Sequence, residues 1–424
     1  MFKKIIFTAF FAMSLIHEAN AVMTINVQFS EQGSWYAKAL NSGPDLPEEA
    51  CSWACEDSMA LKSKTGLDFF LNKLPEDSPK LKELKLWAHV RGNDLKIPED
   101  EKAQLQESAK IIESYLQKHV ALFESIKKFW EITKTAPINV FISKTNDKQN
   151  RGGGFTINFP DGSEVYSTIV FTCLPVFGEK IPIEDYLGVI AHEFSHSMFA
   201  AHNEACVSAK LKTLESRITE LPSKNATVAS WCLDETMAVV LGNGIFCEKL
   251  SGKRPEFKGS VSCEPAGLAV AVYDLVLKYF DSSKSIDDDF LKEFLRIFDG
   301  LYPKAYIDPN VCLTHVSLII PNNLNEHEVF SDISQQFHPF DVCCEKFDEL
   351  NKEKLNEISQ SDSTLLIVFE DESQLEKIAH FIPTFDKAKP INMVHENKRT
   401  YIFLKTDKDH PFQERLKELI TVKF

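Results

Sequence analysis

Glycine is scarce in this chain, 16 residues in 424, which excludes a collagen-like fibre. Basic charge is also in short supply. Against 62 Asp+Glu stand 47 Lys+Arg, a formal charge of -15, which argues against a broad nucleic-acid surface of clustered cations and leaves room only for a local basic patch. No internal repeat or low-complexity segment is present, and beyond the first 21 residues no run is long and apolar enough to span a bilayer. What is present is ordinary for a globular protein: 44% hydrophobic and 26% charged residues, too balanced for a wholly disordered chain. At this length two or three domains are expected.

The first 21 residues read as a secretory signal peptide. Lys3 and Lys4 make a positive head, Ile5 to Ile16 an apolar run, and Ala19-Asn20-Ala21 a small-x-small cleavage pattern. Export to the periplasm or medium is expected, with no membrane-spanning segment left after cleavage. Ten cysteines follow, and outside the cytoplasm they can pair. Cys51 and Cys55 have no second pair at zinc-ribbon distance and Cys343-Cys344 is adjacent, so structural disulfides are the expectation, with Cys247–Cys263 one local possibility.

Three regions follow the leader. Residues 22–134 read as mainly helical after a short strand at Thr24 to Phe29. The clearest stripe is Leu105, Ile111, Ile112, Tyr115, Leu116, Val120, Phe123 and Ile126, which recur mostly at threes and fours. Residues 135–310 begin with a strand at Ile138 to Ile142. Gly152-Gly153-Gly154 then leads into a hairpin of Phe155 to Phe159 with Glu164 to Thr172, turning at Pro160-Asp161-Gly162. No Gly-Lys-Ser/Thr follows the glycines, so a phosphate loop is not indicated. Helices are expected at Pro182 to Ala201, Cys206 to Leu221, Asn225 to Leu241, Pro265 to Phe280 and Asp287 to Phe298. Residues 311–424 read as a small unit of β-α-β-β-α order, with strands at Leu365 to Phe369, Ile391 to Val394 and Tyr401 to Leu404, helices at Glu372 to Phe381 and Gln413 to Ile420, and Glu345 to Asp362 a solvated helix plus linker. The fold class is α+β.

One motif carries chemistry. His192-Glu193-Phe194-Ser195-His196 is H-E-x-x-H within a predicted helix. Histidines four apart sit about 40° apart around a helix, one turn displaced, so both imidazoles can reach one Zn²⁺. Glu193 stands beside them, placed to take a proton from zinc-bound water. Val189-Ile190-Ala191 before the motif and Ser197-Met198 after it are uncharged, as a buried zinc site requires.

The stretch Val189 to Met198 resembles the active-site helix of the zincin metallopeptidases, and a catalytic site of that kind needs a third protein ligand. Trp231-Cys232-Leu233-Asp234-Glu235-Thr236-Met237-Ala238 is similar to the glutamate helix of the gluzincin branch, apart from Thr236 where Gly is frequent. The resemblance implies Glu235 as third ligand and Asp234 as an acceptor that orients a ligand histidine. His202, ten residues after His192, holds the place of the third histidine in the metzincin branch. Phe199 stands where that branch needs a helix-breaking Gly. On a continuous helix His202 lies about 240° from His196 and points away, so a surface histidine near a helix end is the expectation. Resemblance also implies a strand forming the rim where substrate peptide pairs, and Glu164 to Thr172 is the candidate. It spans about Pro137 to Leu241.

The expected function is a secreted zinc metallopeptidase acting on a peptide or protein, with Glu193 as general base and His192, His196 and Glu235 holding Zn²⁺. Tyr273, Tyr302, Tyr306 and His315 are open candidates for stabilising the oxyanion. The alternative is a secreted binding or assembly protein with a structural zinc site. An intact Glu193 and the lack of Cys at ligand spacing favour catalysis.

Overall fold

The computed structural model describes residues 23–29, 99–133, 138–144, 151–158, 164–172, 183–257, 265–337 and 341–421. The leader, Cys51, Cys55, Cys173, Cys263 and the turn at Pro160-Asp161-Gly162 lie outside them. So does the helical pattern before residue 99. In chain order the strands and helices begin with β1 (Ile25–Phe29), α1 (Glu99–Lys118), α2 (Val120–Phe129), β2 (Ile138–Lys144), β3 (Arg151–Asn158) and β4 (Glu164–Thr172). Next come α3 (Ile183–Ser208), α4 (Leu214–Thr219), α5 (Ala226–Trp231), α6 (Leu233–Ala238), a π-helix (Val239–Phe246), α7 (Cys247–Ser251), α8 (Pro265–Asp281), α9 (Asp288–Leu301) and α10 (Pro309–Cys312). The last are β5 (His315–Ile320), α11 (Glu326–Phe337), β6 (Asp341–Lys346), α12 (Lys352–Gln360), β7 (Thr364–Phe369), β8 (Ile391–Glu396), β9 (Arg399–Lys405) and α13 (Phe412–Thr421). The class is α+β.

The chain divides into two compact units. The first takes in Met1–Ser208, Met237–Phe257 and Tyr273–Ile286. Its sheet has the order β1-β2-β4-β3, parallel except for β3. Ile138, Val140 and Ile142 alternate inward on β2 and are fully buried. The hairpin expected from the sequence is there, with Gly153 opposite Ile169. The three glycines form part of β3 itself instead of preceding it. α1 packs on β1, where Gln117 Nε2–H donates to the Ile25 carbonyl at 2.7 Å.

The stripe on α1 differs from expectation. Leu105, Ala109, Ile112 and Leu116 are buried, in steps of four, three and four, while Tyr115 is 39% exposed. The helix breaks at His119, yet Phe123, seven residues after Leu116, and Ile126 are buried as well, so the expected inward positions keep their helical phase from α1 into α2.

α3 runs on past Ala201 to Ser208, and no helix begins at Cys206. The stretch Phe199-Ala200-Ala201-His202 contains no breaker, and both Phe199 and His202 are buried. The helix expected from Asn225 to Leu241 starts at Ala226, turns at Cys232, and then continues as α6, the π-helix and α7. It ends only at Gly252, whose φ of 71° is a left-handed cap.

The second unit takes in Ala209–Thr236, Lys258–Val272 and Asp287–Phe424. Its sheet has the order β6-β5-β7-β9-β8, with β8 antiparallel and the rest parallel. β7 is buried at every position, the continuous apolar reading of an inner parallel strand. Strands β7, β8 and β9 fall where expected. β5 and β6 enlarge the expected β-α-β-β-α unit, and Glu372–Ile378 is a 3₁₀ helix, not an α-helix. Asn351 caps α12 by accepting from the Lys354 N–H.

Asn225 of the Asn-Ala-Thr sequon is 3% exposed. Its side chain donates to Asp299 and to the Tyr302 carbonyl and accepts from the Tyr306 N–H. In the folded chain it is a structural clamp with no room for a glycan. Among the described residues no cysteine pair lies at disulfide distance, and no helix is long and apolar enough to cross a membrane.

Candidate metal centre

His192 and His196 lie one turn apart on α3, and their Nε2 atoms approach to 3.1 Å. Two nitrogens sharing a tetrahedral zinc at about 2.0–2.1 Å would stand roughly 3.3 Å apart. The imidazoles therefore already hold the spacing one ion needs. Glu235 comes from α6, and the ligand atoms of His192, His196 and Glu235 all lie within 4.8 Å of one another. Two neutral nitrogens and one carboxylate oxygen form a donor set suited to Zn²⁺ that leaves the fourth position for solvent or substrate. Glu193, 7% exposed, follows His192 directly.

The far side of the motif is packed with aromatic rings. Phe194 is fully buried, 5.3 Å from Phe123, which in turn meets Phe246 of the π-helix at 5.0 Å. Edge-to-face rings at these spacings resist rotation of α3 about its axis. Trp130, also fully buried, donates its indole N–H to Ser195 Oγ at 3.1 Å and packs against Phe199 at 5.2 Å.

His202 belongs to this packed side. Its Nδ1–H donates to the Trp130 carbonyl at 2.8 Å, and it is 5% exposed. The expectation that it points away from His196 agrees with the continuous helix. The expectation that it sits at the surface does not. α3 extends beyond it, and α2 delivers a carbonyl that anchors the ring in the core.

The π-helix supplies what sequence reasoning missed. His192 Nδ1 lies 2.8 Å from Asn243 Oδ1, and a carbonyl oxygen can only accept, so Nδ1 carries the proton. That leaves the Nε2 lone pair facing His196 and Glu235. At His192, then, Asn243 is an orienting acceptor. Asn243 gets there because the two backbones touch. A methyl group on Gly242 would collide with the nitrogen and Cα of His192. Gly188, one turn earlier on α3, faces Cys247 in the same way, with room for a Cβ only 2.5 Å from its Sγ. The signal was in the sequence as Gly242-Asn243-Gly244, two glycines flanking a polar residue in an otherwise apolar stretch.

The four oxyanion candidates have other visible neighbours. Tyr273 donates its hydroxyl to Glu248 at 2.5 Å beneath the Arg254 guanidinium. Burial first, and then Glu248, drive its pKa upward, so this phenol stays protonated. Tyr302 packs on Phe298, Tyr306 on His395, and His315 stacks on Trp231 at 4.9 Å. The candidate rim strand needs correction. β4 is paired on both sides, by β2 and β3, so it has no edge to offer; the outer strand beside it, packed on α3, is β3. Comparison with protein-family models, with curated proteins and with solved structures finds no match to this chain.

Proposed function

We propose that the protein is a zinc-dependent metallopeptidase of gluzincin-like design. The observation that carries the reading is the convergence of one ring nitrogen each of His192 and His196 and a Glu235 carboxylate oxygen within 4.8 Å, with the buried Glu193 next in the chain after His192. A bound zinc supplies Lewis acidity, lowering the pKa of a coordinated water towards about 7 and polarising a carbonyl. Glu193 takes the proton of the attacking water on a carboxylate oxygen and returns it to the departing amine nitrogen. His192 and His196 would hold the ion through ring nitrogens, with Asn243 orienting the His192 ring through Nδ1. Substrate backbone adds to the outer edge of β3, where Gly152, Gly153 and Gly154 let another chain approach closely. Export through the N-terminal leader places the activity in the periplasm or medium.

Glu193→Gln tests the general base. It should retain stoichiometric zinc and lose about 10²–10⁴-fold in peptide cleavage, the usual worth of a positioned acid–base group. Peptidase activity equal to that of the unaltered protein would remove Glu193 from the mechanism. Glu235→Ala should lose zinc in metal analysis, whereas His202→Ala should keep it.

A further inference from the structure

We propose that Asn243 is a positioning residue whose neutral amide sets the tautomer and the metal affinity of His192, and that Gly242 and the π-helix exist to deliver it. This rests on the metal-centre reading above. Three observations point the same way. The Asn243 Oδ1 meets His192 Nδ1 at 2.8 Å, on the ring edge opposite the Nε2 that faces His196. Asn243 rides on a π-helix, Val239–Phe246, a wound-in irregularity that re-aims side chains and is found mostly where a site needs it. The residue before it can only be glycine, because a Cβ would strike the His192 backbone.

The chemistry of the acceptor matters as much as its place. Metal-bound imidazoles are oriented by an acceptor on the other ring nitrogen, and a carboxylate there also raises the basicity of the ring. An amide oxygen orients without adding charge. The geometry therefore points to a site whose direction is fixed by Asn243 while its only anionic ligand is Glu235. Asn243→Asp keeps the acceptor and adds charge, so it should bind zinc as tightly or more tightly. Asn243→Leu keeps the volume and removes the acceptor, so the ring loses its orientation and affinity should fall about 10–100-fold.

The experiment is zinc titration of the full mature chain against a chromogenic chelator, with ¹⁵N NMR of the histidine rings in the zinc-loaded protein. Supporting results are a slowly exchanging Nδ1 proton on His192 in the unaltered protein, its loss in Asn243→Leu, and the affinity order Asp at least equal to Asn, both above Leu. Asn243→Gln, which carries the amide one methylene too far, serves where Asn243→Leu does not fold, and should also weaken binding. Equal affinity in all variants would overturn the assignment, as would an equal loss in Asp and Leu, which marks packing alone. An unaltered protein that binds no zinc would overturn the metal centre itself and this role with it.

Discussion

The His192–His196 pair of the first unit differs in kind from most buried polar contacts of the second. In the first, the H-E-x-x-H turn of α3 sends two imidazole nitrogens to a common point, leaving them 3.1 Å apart with a buried carboxylate alongside. In the second, buried polar side chains bond to nearby backbone. Arg399 donates to the Ser363 and Ile358 carbonyls, Thr364 to the Cys312 carbonyl, and Thr227 to that of Lys398. The lesson concerns purpose. A polar group satisfied by backbone closes a fold, whereas ligand-type atoms brought together with like partners make a place for something else.

Removal of the proposed zinc should separate the α3 site from the C-terminal sheet most sharply. An ion that binds only the folded state stabilises it by about 4 kcal/mol at 1,000 times its dissociation constant. Chelation should therefore speed amide exchange along α3 and the π-helix and leave β5, β7 and β9 unchanged. Equal loss of protection in both sheets, or in neither, would break the contrast.

How much of this could be read beforehand depended on what kind of force decided each feature. The approach of His192 to His196 was legible because helical spacing alone brings them together, whereas Glu235 was expected from the resemblance of its segment to a gluzincin glutamate helix. Asn243 was not. Reading by propensity ends the helix near Leu241, where Gly242 begins a breaker pattern, but contact with His192 rewards the smallness of that glycine and winds the chain on through a π turn to Ser251. β6 was missed for a similar reason. Asp341-Val342-Cys343-Cys344-Glu345-Lys346 is a polar edge strand whose pairing with β5 is decided by the sheet, not by its own pattern. Tyr115 lies at the margin of the face that Ile112 and Leu116 bury, so its apolar character alone misplaced it.

A smaller effect tests the backbone contact. Gly242→Ala forces a methyl into the His192 backbone, and overpacking of this kind costs typically about 1–3 kcal/mol; with rigid backbone on both sides the upper end is expected. The melting temperature should drop and zinc affinity with it. The control lies in the second unit. Gly300 on α9 has nothing within 4 Å of where its Cβ would stand, so Gly300→Ala should stabilise by about 0.5–1 kcal/mol through helix propensity. Thermal melts of the two variants should move in opposite directions. A shift in the same direction would mean that the close approach at Gly242 is not rigid.

The smallest effect is a pH dependence confined to the second unit. His395 donates Nδ1–H to Thr400 Oγ1 at 3.0 Å, since the single Thr400 hydroxyl proton goes to the Tyr306 carbonyl at 2.5 Å. Both the neutral and the charged ring can make that bond, so it does not choose between them. Burial does, and the nearby Lys224 ammonium adds to it, so the pKa of His395 falls below its ordinary value of 6.5. As pH drops through that value the unfolded chain takes up a proton that the folded chain resists, and stability is lost; above it the contribution is fully present. His395→Asn keeps a donor near Nδ1 and cannot titrate. Denaturant unfolding followed at β8 and β9 should then show a shallower loss on acidification than the unaltered chain. An unchanged acid limb would assign the loss to other groups, and would leave His395 as packing against Tyr306 and nothing more.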